Sequence, residues 1–268
     1  MTVLIIGGGD LDTAFLKERL AFHRGAVIIA ADRGLAALNA VGVHPDYLLG
    51  DYDSAPPEAV EAYRQSLAEG KCEGGDEGLC ENDNGSVLNR QLSCEGRRYQ
   101  DNGRSFQILP AVKDYTDTEA AIRKAMALGC DSLVLLGMTG GRLDHFLGVV
   151  HNLMIPYRAG IPAVIEDTGN RIRLTGGRTE VYRGSEEDAR FGRYPVWGRY
   201  LSLIPLTTPV RGVSLTGLAY TLEEKDPEPG SSLCLSNEMV SDEAVITIRE
   251  GLMVMVMSED RSRDGERR

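Results

Sequence analysis

Apolar and polar positions along the first half of the chain predict strands and helices in alternation. Short apolar runs predict strands at residues 3–6, 26–31, 47–49, 108–112 and 132–136. Helical spacing of apolar positions follows most of these runs, at residues 11–23, 35–41, 118–128 and 146–159. Alternation of this kind predicts a Rossmann-like α/β domain, in which helices cover a parallel sheet and ligands bind at the carboxyl ends of its strands.

The pattern changes near residue 169, after which helical spacing is nearly absent. Short strand-like runs separated by Gly, Pro, Asn and Asp occupy residues 171–175, 179–182, 200–205, 212–215, 244–249 and 253–257. We therefore predict an α/β domain at residues 1–168 and a smaller all-β sandwich domain at residues 169–258. Two polar segments have too few apolar residues to build a core. Residues 69–105 are thus predicted to be a mobile insertion and residues 259–268 a disordered tail.

Charge and composition exclude several classes of protein. The formal net charge of the 268 residues is −11, whereas a nucleic-acid-binding surface needs a basic stripe; a small phosphorylated ligand is still compatible with this charge. No apolar run is long enough to span a membrane, and the start of the chain lacks a basic leader. The five cysteines, an odd number, favour a reducing cytoplasm. Cys72, Cys80 and Cys94 lack the close spacing and the nearby histidine that are typical of a zinc site.

A pair of carboxylates follows the predicted strand at residues 47–49. Asp51 and Asp53 flank Tyr52 in the segment Gly50-Asp51-Tyr52-Asp53-Ser54, and residues two apart in an extended chain point to the same side. Carboxylate oxygens are the ligands that Mg²⁺ prefers, and the ion keeps positions for substrate phosphates. Turn-forming aspartates in a polar loop are the alternative interpretation.

Two further segments place carboxylates at the starts of predicted helices. Thr116-Asp117-Thr118-Glu119 matches a capping box, which by itself explains Thr116 and Glu119, and Asp117 also favours the helix dipole. In Gly140-Gly141-Arg142-Leu143-Asp144-His145, glycine amides and a forked guanidinium suit a phosphate, although a lone histidine here would more often pack at the helix start. Neither this segment nor Gly7-Gly8-Gly9 completes a P-loop or a dinucleotide fingerprint.

All three carboxylate segments fall at strand ends or helix starts of the predicted sheet. Because the carboxyl ends of parallel strands meet at one edge, we expect the segments to converge. The sequence therefore predicts a site for a divalent metal and phosphate, in an enzyme that acts on a nucleotide.

The ordered set of segments resembles the signature of the thiamine pyrophosphokinase family. The family's Gly-Asp-Phe-Asp-Ser loop is matched by residues 50–54, with Tyr52 for Phe. Its Lys-Asp-x-Thr-Asp segment is matched by residues 113–117, and its Gly-Gly-Arg-x-Asp-His segment by residues 140–145. The stretches 202–206, 215–220 and 236–238 resemble the family's β domain, so the resemblance spans most of the chain outside the polar segments.

The resemblance implies a homodimer that binds ATP and Mg²⁺ at the α/β strand ends, and thiamine near the β domain of the partner subunit. It implies that Asp51, Asp53 and Asp117 hold Mg²⁺ or orient the reacting hydroxyl, with Arg142 and Asp144 at the phosphates. The other residues that it assigns to the nucleotide are Asp32, Lys113, Asp114, Thr116, Gly137, Thr139, Gly140, Gly141 and His145. Those that it assigns to thiamine are Tyr220, whose ring suits a cationic thiazolium, and Thr216, Ser236 and Asn237.

The implied reaction transfers a pyrophosphoryl group from ATP to the hydroxyl of thiamine, giving thiamine diphosphate and AMP, with Asp51 or Asp117 as the proton acceptor. Arg33 departs from the family, which usually has glycine at that position. Two alternatives stay open: a pyrophosphokinase for another alcohol, such as a hydroxymethylpterin, and a non-catalytic protein that binds a nucleotide or thiamine. Tyr220 favours thiamine over a pterin, and the full set of motif acids favours an enzyme over a regulator.

Overall fold

A computed structural model describes residues 1–31, 33–50, 98–101, 104–108, 114–186 and 189–260. Its helices are α1 (Thr13–Phe22), α2 (Gly34–Ala40), α3 (Asp117–Ala127), α4 (Leu143–Asn152) and α5 (Met154–Arg158). The strands of the first part are β1 (Thr2–Ile6), β2 (Val27–Ala31), β3 (Tyr47–Gly50), β4 (Arg98–Asp101), β5 (Arg104–Ile108), β6 (Ser132–Leu136) and β7 (Ala163–Glu166). Those of the second part are β8 (Asn170–Tyr182), β9 (Arg193–Pro195), β10 (Tyr200–Pro205), β11 (Arg211–Thr216), β12 (Leu222–Lys225), β13 (Asn237–Glu238) and β14 (Glu243–Ser258).

A parallel sheet forms the first part of the fold. Its strand order is β7-β6-β1-β2-β3-β5, with all neighbours parallel, and β4 adds an antiparallel edge beside β5. Residues 3–6 of the central strand β1 are fully buried, because helices cover both faces of the sheet. One buried cluster packs the sheet against α3 and α4, and another packs it against α1 and α2. The predicted α/β layering is confirmed.

Two long antiparallel strands, β8 and β14, organise the second part. The outer edge of β14 pairs with β11 through residues 245–250 and with β10 through residues 253–258. Its register against β8 shifts between Ile248 and Met253, around Gly251. Side chains from both halves of β14, such as Ile246 and Met255, lie in one buried cluster. The bent strands therefore enclose a core of their own, and the predicted β-rich second part is confirmed.

Two predicted pairs of strands are single strands in the structure. The sequence predicts breaks at residues 176–178 and 250–252, whereas β8 and β14 run through both positions. Glycine usually predicts a turn, but Gly177 (φ 62°) and Gly251 (φ 92°) lie at bends within continuous strands. The two glycines thus bend the strands without ending them.

Two other segments differ from the sequence prediction. The helix predicted at residues 146–159 is divided into α4 and α5, since Pro156 has no N–H to continue the helical hydrogen bonds. The end of the predicted mobile insertion forms β4 at the sheet edge and the first two residues of β5. Of the strand predicted at residues 108–112, the structure describes only Ile108, which ends β5. The rest of that insertion, with Cys72, Cys80 and Cys94, lies outside the described residues, as do tail residues 261–268. Among the described helices, none is long and apolar enough to cross a membrane.

Candidate functional site

Two glycine turns meet at the carboxyl ends of β1 and β6, in the middle of the parallel sheet. The amides of Gly7 and Gly9 donate to the carbonyl oxygens of Leu136 (2.8 Å) and Gly137 (2.7 Å). Gly137 adopts the left-handed region with a φ of 67°, and a Cβ added at Gly9 would lie 2.7 Å from the Gly137 carbonyl oxygen. This close approach of two backbones requires glycine. It leaves a surface of main-chain atoms where the strands end.

An open cleft of about 570 Å³ lies at these turns. Its walls are the two glycine turns, the end of β2, and the first turns of α3 and α4. The volume is in the range of small-molecule sites, and the position at the carboxyl ends of parallel strands is where α/β folds bind their ligands. We call this feature the cleft.

Arg142 and Asp144 form a bidentate ion pair at the start of α4. Nε of Arg142 donates to Oδ1 of Asp144 at 3.1 Å, and Nη2 donates to Oδ2 at 2.6 Å. The hydrogen bond from Arg142 lowers the pKa of the exposed Asp144 carboxyl to about 2. The amide of His145 also donates to Oδ1 of Asp144, at 3.0 Å. A phosphate that binds Arg142 must therefore displace Asp144 from the guanidinium or share the guanidinium with Asp144.

The first turn of α3 supplies a second carboxylate to the cleft. Thr116 is the N-cap residue, and its Oγ1 accepts a hydrogen bond from the amide of Glu119 at 3.2 Å, which confirms the predicted cap. The Glu119 carboxylate lies 2.7 Å from Nη2 of Arg123. Asp117 is thus the carboxylate of this turn that lines the cleft, beside Tyr115. Burial raises the pKa of the Tyr115 phenol.

The structure brings two of the three predicted carboxylate segments together. The predicted residues that line the cleft are Thr116, Asp117, Gly137, Gly140, Gly141, Arg142, Asp144 and His145. Thr139 contributes its carbonyl oxygen, which accepts a hydrogen bond from the amide of Asp10 at 3.0 Å. Asp114 is exposed just before α3 and is not part of the lining. Asp32, Asp51, Asp53 and Lys113 lie outside the described residues.

Nine residues of the cleft do not belong to the set predicted from the sequence, and four of these are Gly8, Gly9, Arg33 and Tyr115. A usable signal was nonetheless present for three of them. Gly8 and Gly9 follow the end of β1, and Arg33 follows the end of β2 by two residues. The rule that ligands bind at the carboxyl ends of parallel strands selects these positions.

Asp117 is the described residue best suited to hold a divalent cation, since its carboxylate lines the cleft and Mg²⁺ prefers oxygen ligands. Asp144 is the other acidic residue of the lining, and it forms an ion pair with Arg142. Within the part of the chain that the structure describes, no three or more His, Cys, Asp or Glu side chains form a metal-binding group. Asp51 and Asp53 come directly after Gly50, the last residue of β3, and lie beyond the described residues.

Tyr220 and Asn237 lie side by side in the second part of the fold. The Tyr220 side chain is 69% exposed, whereas Asn237 is buried. Oδ1 of Asn237 accepts from the amide of Tyr220 at 2.9 Å, and Nδ2 donates to the Tyr220 carbonyl oxygen at 2.7 Å. Ser236 is exposed, has a φ of 54°, and its amide donates to Oγ of Ser202 at 2.9 Å. Thr216 is exposed at the end of β11.

The predicted thiamine residues are separate from the cleft of the same chain. Among the described residues, Thr216, Tyr220, Ser236 and Asn237 form no part of its lining. The structure therefore divides the predicted site into two groups, one at the end of the parallel sheet and one in the second part.

Two family models match the chain. "Thiamin pyrophosphokinase, catalytic domain" matches residues 91–165, and "Thiamin pyrophosphokinase, vitamin B1 binding domain" matches residues 188–253. Together the two matches cover more than half of the chain. The α3 and α4 residues of the cleft fall within the first match, and Tyr220 and Asn237 fall within the second.

Known proteins are similar to the chain over nearly its full length. The thiamine pyrophosphokinase of Bacillus subtilis (strain 168) is 29% identical over 265 residues, which are 97% of this chain and 99% of that protein. The crystal structure of thiamin pyrophosphokinase from Geobacillus thermodenitrificans matches with a TM-score of 0.70 and 27% identity, over 98% of this chain and 99% of that chain. Thiamin pyrophosphokinase from Candida albicans shares the fold at 16% identity, with a TM-score of 0.65, over 97% of this chain and 90% of that chain.

Proposed function

Since the chain belongs to the thiamin pyrophosphokinase family, we propose that it transfers a pyrophosphoryl group from ATP to thiamine, giving thiamine diphosphate and AMP. The main support from the structure is the cleft. Two glycine turns, two arginines and two aspartates meet there at the carboxyl ends of a parallel sheet, which is where this class of fold binds nucleotides.

The phosphates of ATP bind at the glycine turn before α4. Gly140 and Gly141 adopt φ angles of 83° and 63° and have no side chains of their own, while the side chain of Asp10 packs against Gly140. Arg142 offers a planar fork of donors to the phosphate oxygens. Asp144 holds the Arg142 guanidinium at the N-terminus of α4 through its two hydrogen bonds. Asp144 is thus proposed to orient Arg142 for the incoming phosphate.

The chemistry is an in-line displacement at phosphorus. The hydroxyl oxygen of thiamine forms a bond to the β-phosphorus, while the bond from that phosphorus to the oxygen bridging to the α-phosphorus breaks. AMP leaves with the bridging oxygen, and the hydroxyl proton passes to a carboxylate, Asp117 or Asp51. Positioning and charge neutralisation dominate reactions of this kind, so the assigned residues bind, orient and accept a proton without forming a covalent intermediate.

Mg²⁺ fits the donor chemistry of this site. Asp117 would hold the ion together with Asp51 and Asp53, and the ion would supply charge neutralisation on the phosphates. Asp117 lines the cleft near the glycine turns, which supports this part of the proposal.

Thiamine is proposed to bind against the exposed ring of Tyr220, because an aromatic face attracts a cationic ring. Tyr220 does not line the cleft of its own chain. We therefore propose a homodimer in which the second part of one subunit completes the cleft of the other. Leu143 and Leu147 on α4 are 74% and 59% exposed, and Val240 in the second part is 65% exposed. These side chains supply apolar surface for the contact.

The proposal keeps the predicted division of the chain, with nucleotide binding in residues 1–168, and thiamine binding and dimer contacts in residues 169–258. It also keeps the expected cytoplasmic location. Among the described residues, Cys130 and Cys234 are buried and form no disulfide, which suits a reducing compartment.

One assay tests the proposed reaction. The purified protein is incubated with ATP, Mg²⁺ and thiamine, and AMP and thiamine diphosphate are both quantified. We expect the two products in equal amounts. AMP without thiamine diphosphate would instead indicate another acceptor, and nucleotide binding without AMP would indicate a regulator. The match to a vitamin B1 binding domain disfavours the pterin alternative, and the match to a catalytic domain disfavours the regulator.

Asp117→Asn is the variant that tests the carboxylate of the cleft. Loss of a metal ligand or a proton acceptor is expected to lower kcat roughly 10²- to 10⁴-fold, with the fold intact by circular dichroism. Asp131→Asn is the matched control, because Asp131 is exposed at the opposite end of β6. Equal activity of the two variants would contradict the role of Asp117.

A further inference from the structure

Arg33 stands at the mouth of the cleft in the short connection between β2 and α2. It is exposed and lines the cleft. The next residue, Gly34, is buried and begins α2, and a Cβ there would overlap the carbonyl oxygen of Ile6 in β1. Because Gly34 packs directly on β1, the backbone at Arg33 is held close to the end of that strand.

The first carbon atoms of the Arg33 side chain lie over the first glycine turn, at Gly8. A Cβ added at Gly8 would lie 2.8 Å from Cβ of Arg33 and 3.4 Å from its Cγ. The aliphatic stem of Arg33 therefore packs on the backbone of Gly8. Gly8 and Arg33 form one wall of the cleft, and the turn before Arg142 forms another.

The charges in the lining make Arg33 distinct from Arg142. The guanidinium of Arg142 is engaged by Asp144 through two hydrogen bonds. The Arg33 side chain, by contrast, has no ion pair or hydrogen bond with another residue in the described part of the chain. As far as the described residues are concerned, a polyphosphate can therefore bind Arg33 without first breaking an ion pair.

We propose that Arg33 is a phosphate-binding residue for the nucleotide in this protein, gripping the polyphosphate from the Gly8 wall while Arg142 approaches it from the α4 wall. This inference rests on the proposed function for the identity of the ligand. It assigns a role to a position at which the resembling family usually has glycine. The chemical group recognised is the polyphosphate, not the base or the sugar, since the guanidinium is a charged fork that matches phosphate oxygens.

The test is calorimetric binding of ATP, ADP and adenosine, with Mg²⁺ present, to the wild-type protein and to Arg33→Met. Methionine keeps an aliphatic stem over Gly8 and removes the charge. We expect the affinity for ATP to fall roughly 10- to 100-fold, which corresponds to one lost charge-assisted contact. The loss should be smaller for ADP and absent for adenosine. Arg33→Lys should recover part of the ATP affinity, because it restores the charge without the fork.

Arg158→Met is the matched control, because Arg158 is exposed at the end of α5 and outside the lining. It should bind ATP as the wild type does. ATP binding to Arg33→Met with wild-type affinity, or an equal loss for ATP and adenosine, would overturn the role of Arg33. A wild-type protein that binds ATP but forms no thiamine diphosphate would overturn the proposed reaction alone, since the effect of Arg33 on binding would still be measured.

Discussion

At the scale of single residues, Asn237 is engaged by the backbone. It is 3% exposed. Its Oδ1 accepts from the amides of Tyr220 (2.9 Å) and Glu238 (3.0 Å), and its Nδ2 donates to the Tyr220 carbonyl oxygen at 2.7 Å. The side chain thus fixes the backbone on both sides of the Tyr220 Cα. Asn237 is better suited to position Tyr220 than to contact a ligand itself.

Asn237→Leu should change the KM for thiamine but not the KM for ATP. Leucine has a similar size but no polar atoms, so the backbone of Tyr220 loses its fixed position. The KM for thiamine is expected to rise several-fold, while the KM for ATP stays unchanged. Leaving buried amides unsatisfied should also cost about 1–3 kcal/mol of stability, so both KM values are measured well below the unfolding temperature.

Asn39→Leu, on the exposed face of α2, is the control for this variant. Asn237→Asp keeps the acceptor and loses the donor, and it should fall between wild type and Asn237→Leu. A parallel rise of both KM values would indicate a general loss of structure and would argue against a positioning role.

At the scale of single residues, the sequence predicts only part of the site. Thr116 was predictable as a cap because its partner, the Glu119 amide, is three residues away. The strand-end rule selects the position of Arg33, and Asn237 belongs to the predicted set, but their contacts with Gly8 and Tyr220 were not predictable because these partners are distant in the chain. Periodicity and motifs describe local spacing. Contacts between distant segments are decided by packing.

At the scale of elements, strand and helix positions in the first part follow closely from the apolar pattern. β6 has the predicted bounds, and β1 and β2 differ by one residue from prediction. These strands are buried on both faces, so burial and sequence pattern coincide. The pattern is less informative for β8 and β14, where the same residue type, glycine, bends a strand at Gly177 and Gly251. Whether such a glycine bends a strand or ends it in a turn depends on the neighbouring strand that pairs with the residues around it.

The junction of α2 with β1 gives a stability prediction. In Gly34→Ala the new methyl group would overlap the Ile6 carbonyl oxygen, and a backbone atom cannot move aside as a flexible side chain can. We expect a loss of at least about 1–3 kcal/mol in the free energy of unfolding. Gly148→Ala is the matched control, because Gly148 also lies in a helix but has no atom of the described residues within 4 Å of the added Cβ.

Gly148→Ala should be more stable than wild type by about 0.5–1 kcal/mol, since alanine favours a helix interior. Urea unfolding of the two variants measures both effects. If Gly34→Ala unfolded at the same urea concentration as Gly148→Ala, this result would contradict the close packing of α2 on β1.

At the scale of the whole molecule, a buried ionic cluster joins the two parts of the fold. Arg19 of α1 lies 2.8 Å from Glu166 (Nε to Oε2) and 2.8 Å from Glu186 (Nη2 to Oε2). Nη2 of Arg171, at the start of β8, lies 2.5 Å from Oε1 of Glu186. Arg19, Glu166 and Arg171 are almost completely buried. Removing one partner from such a cluster leaves an uncompensated charge, so α1, β7 and β8 depend on one another.

His23 couples this cluster to pH. Its Nε2 lies 3.1 Å from Nη2 of Arg19, which can only donate, so the imidazole accepts and is neutral. Burial lowers the pKa of His23 from 6.5 to about 4, and the positive charges of Arg19 and Arg171 add to this effect. The negative charge of Glu186 opposes it. Between these two values the unfolded chain takes up a proton that the folded chain does not. Stability contributed at this position is therefore lost as the pH falls from about 6.5 towards 4.

His23→Gln should make the stability less sensitive to pH between 7 and 5. Glutamine can still accept from Arg19 but does not titrate, so the wild type should lose about 1–2 kcal/mol more than the variant across this window. Glu186 does not interfere, since hydrogen bonding to Arg19 and the charge of Arg171 outweigh burial and lower its pKa below 4.5. Urea unfolding at both pH values measures the difference. His151→Gln, exposed on α4, should keep the wild-type dependence, and an identical dependence in His23→Gln would mean that His23 is protonated in the folded protein.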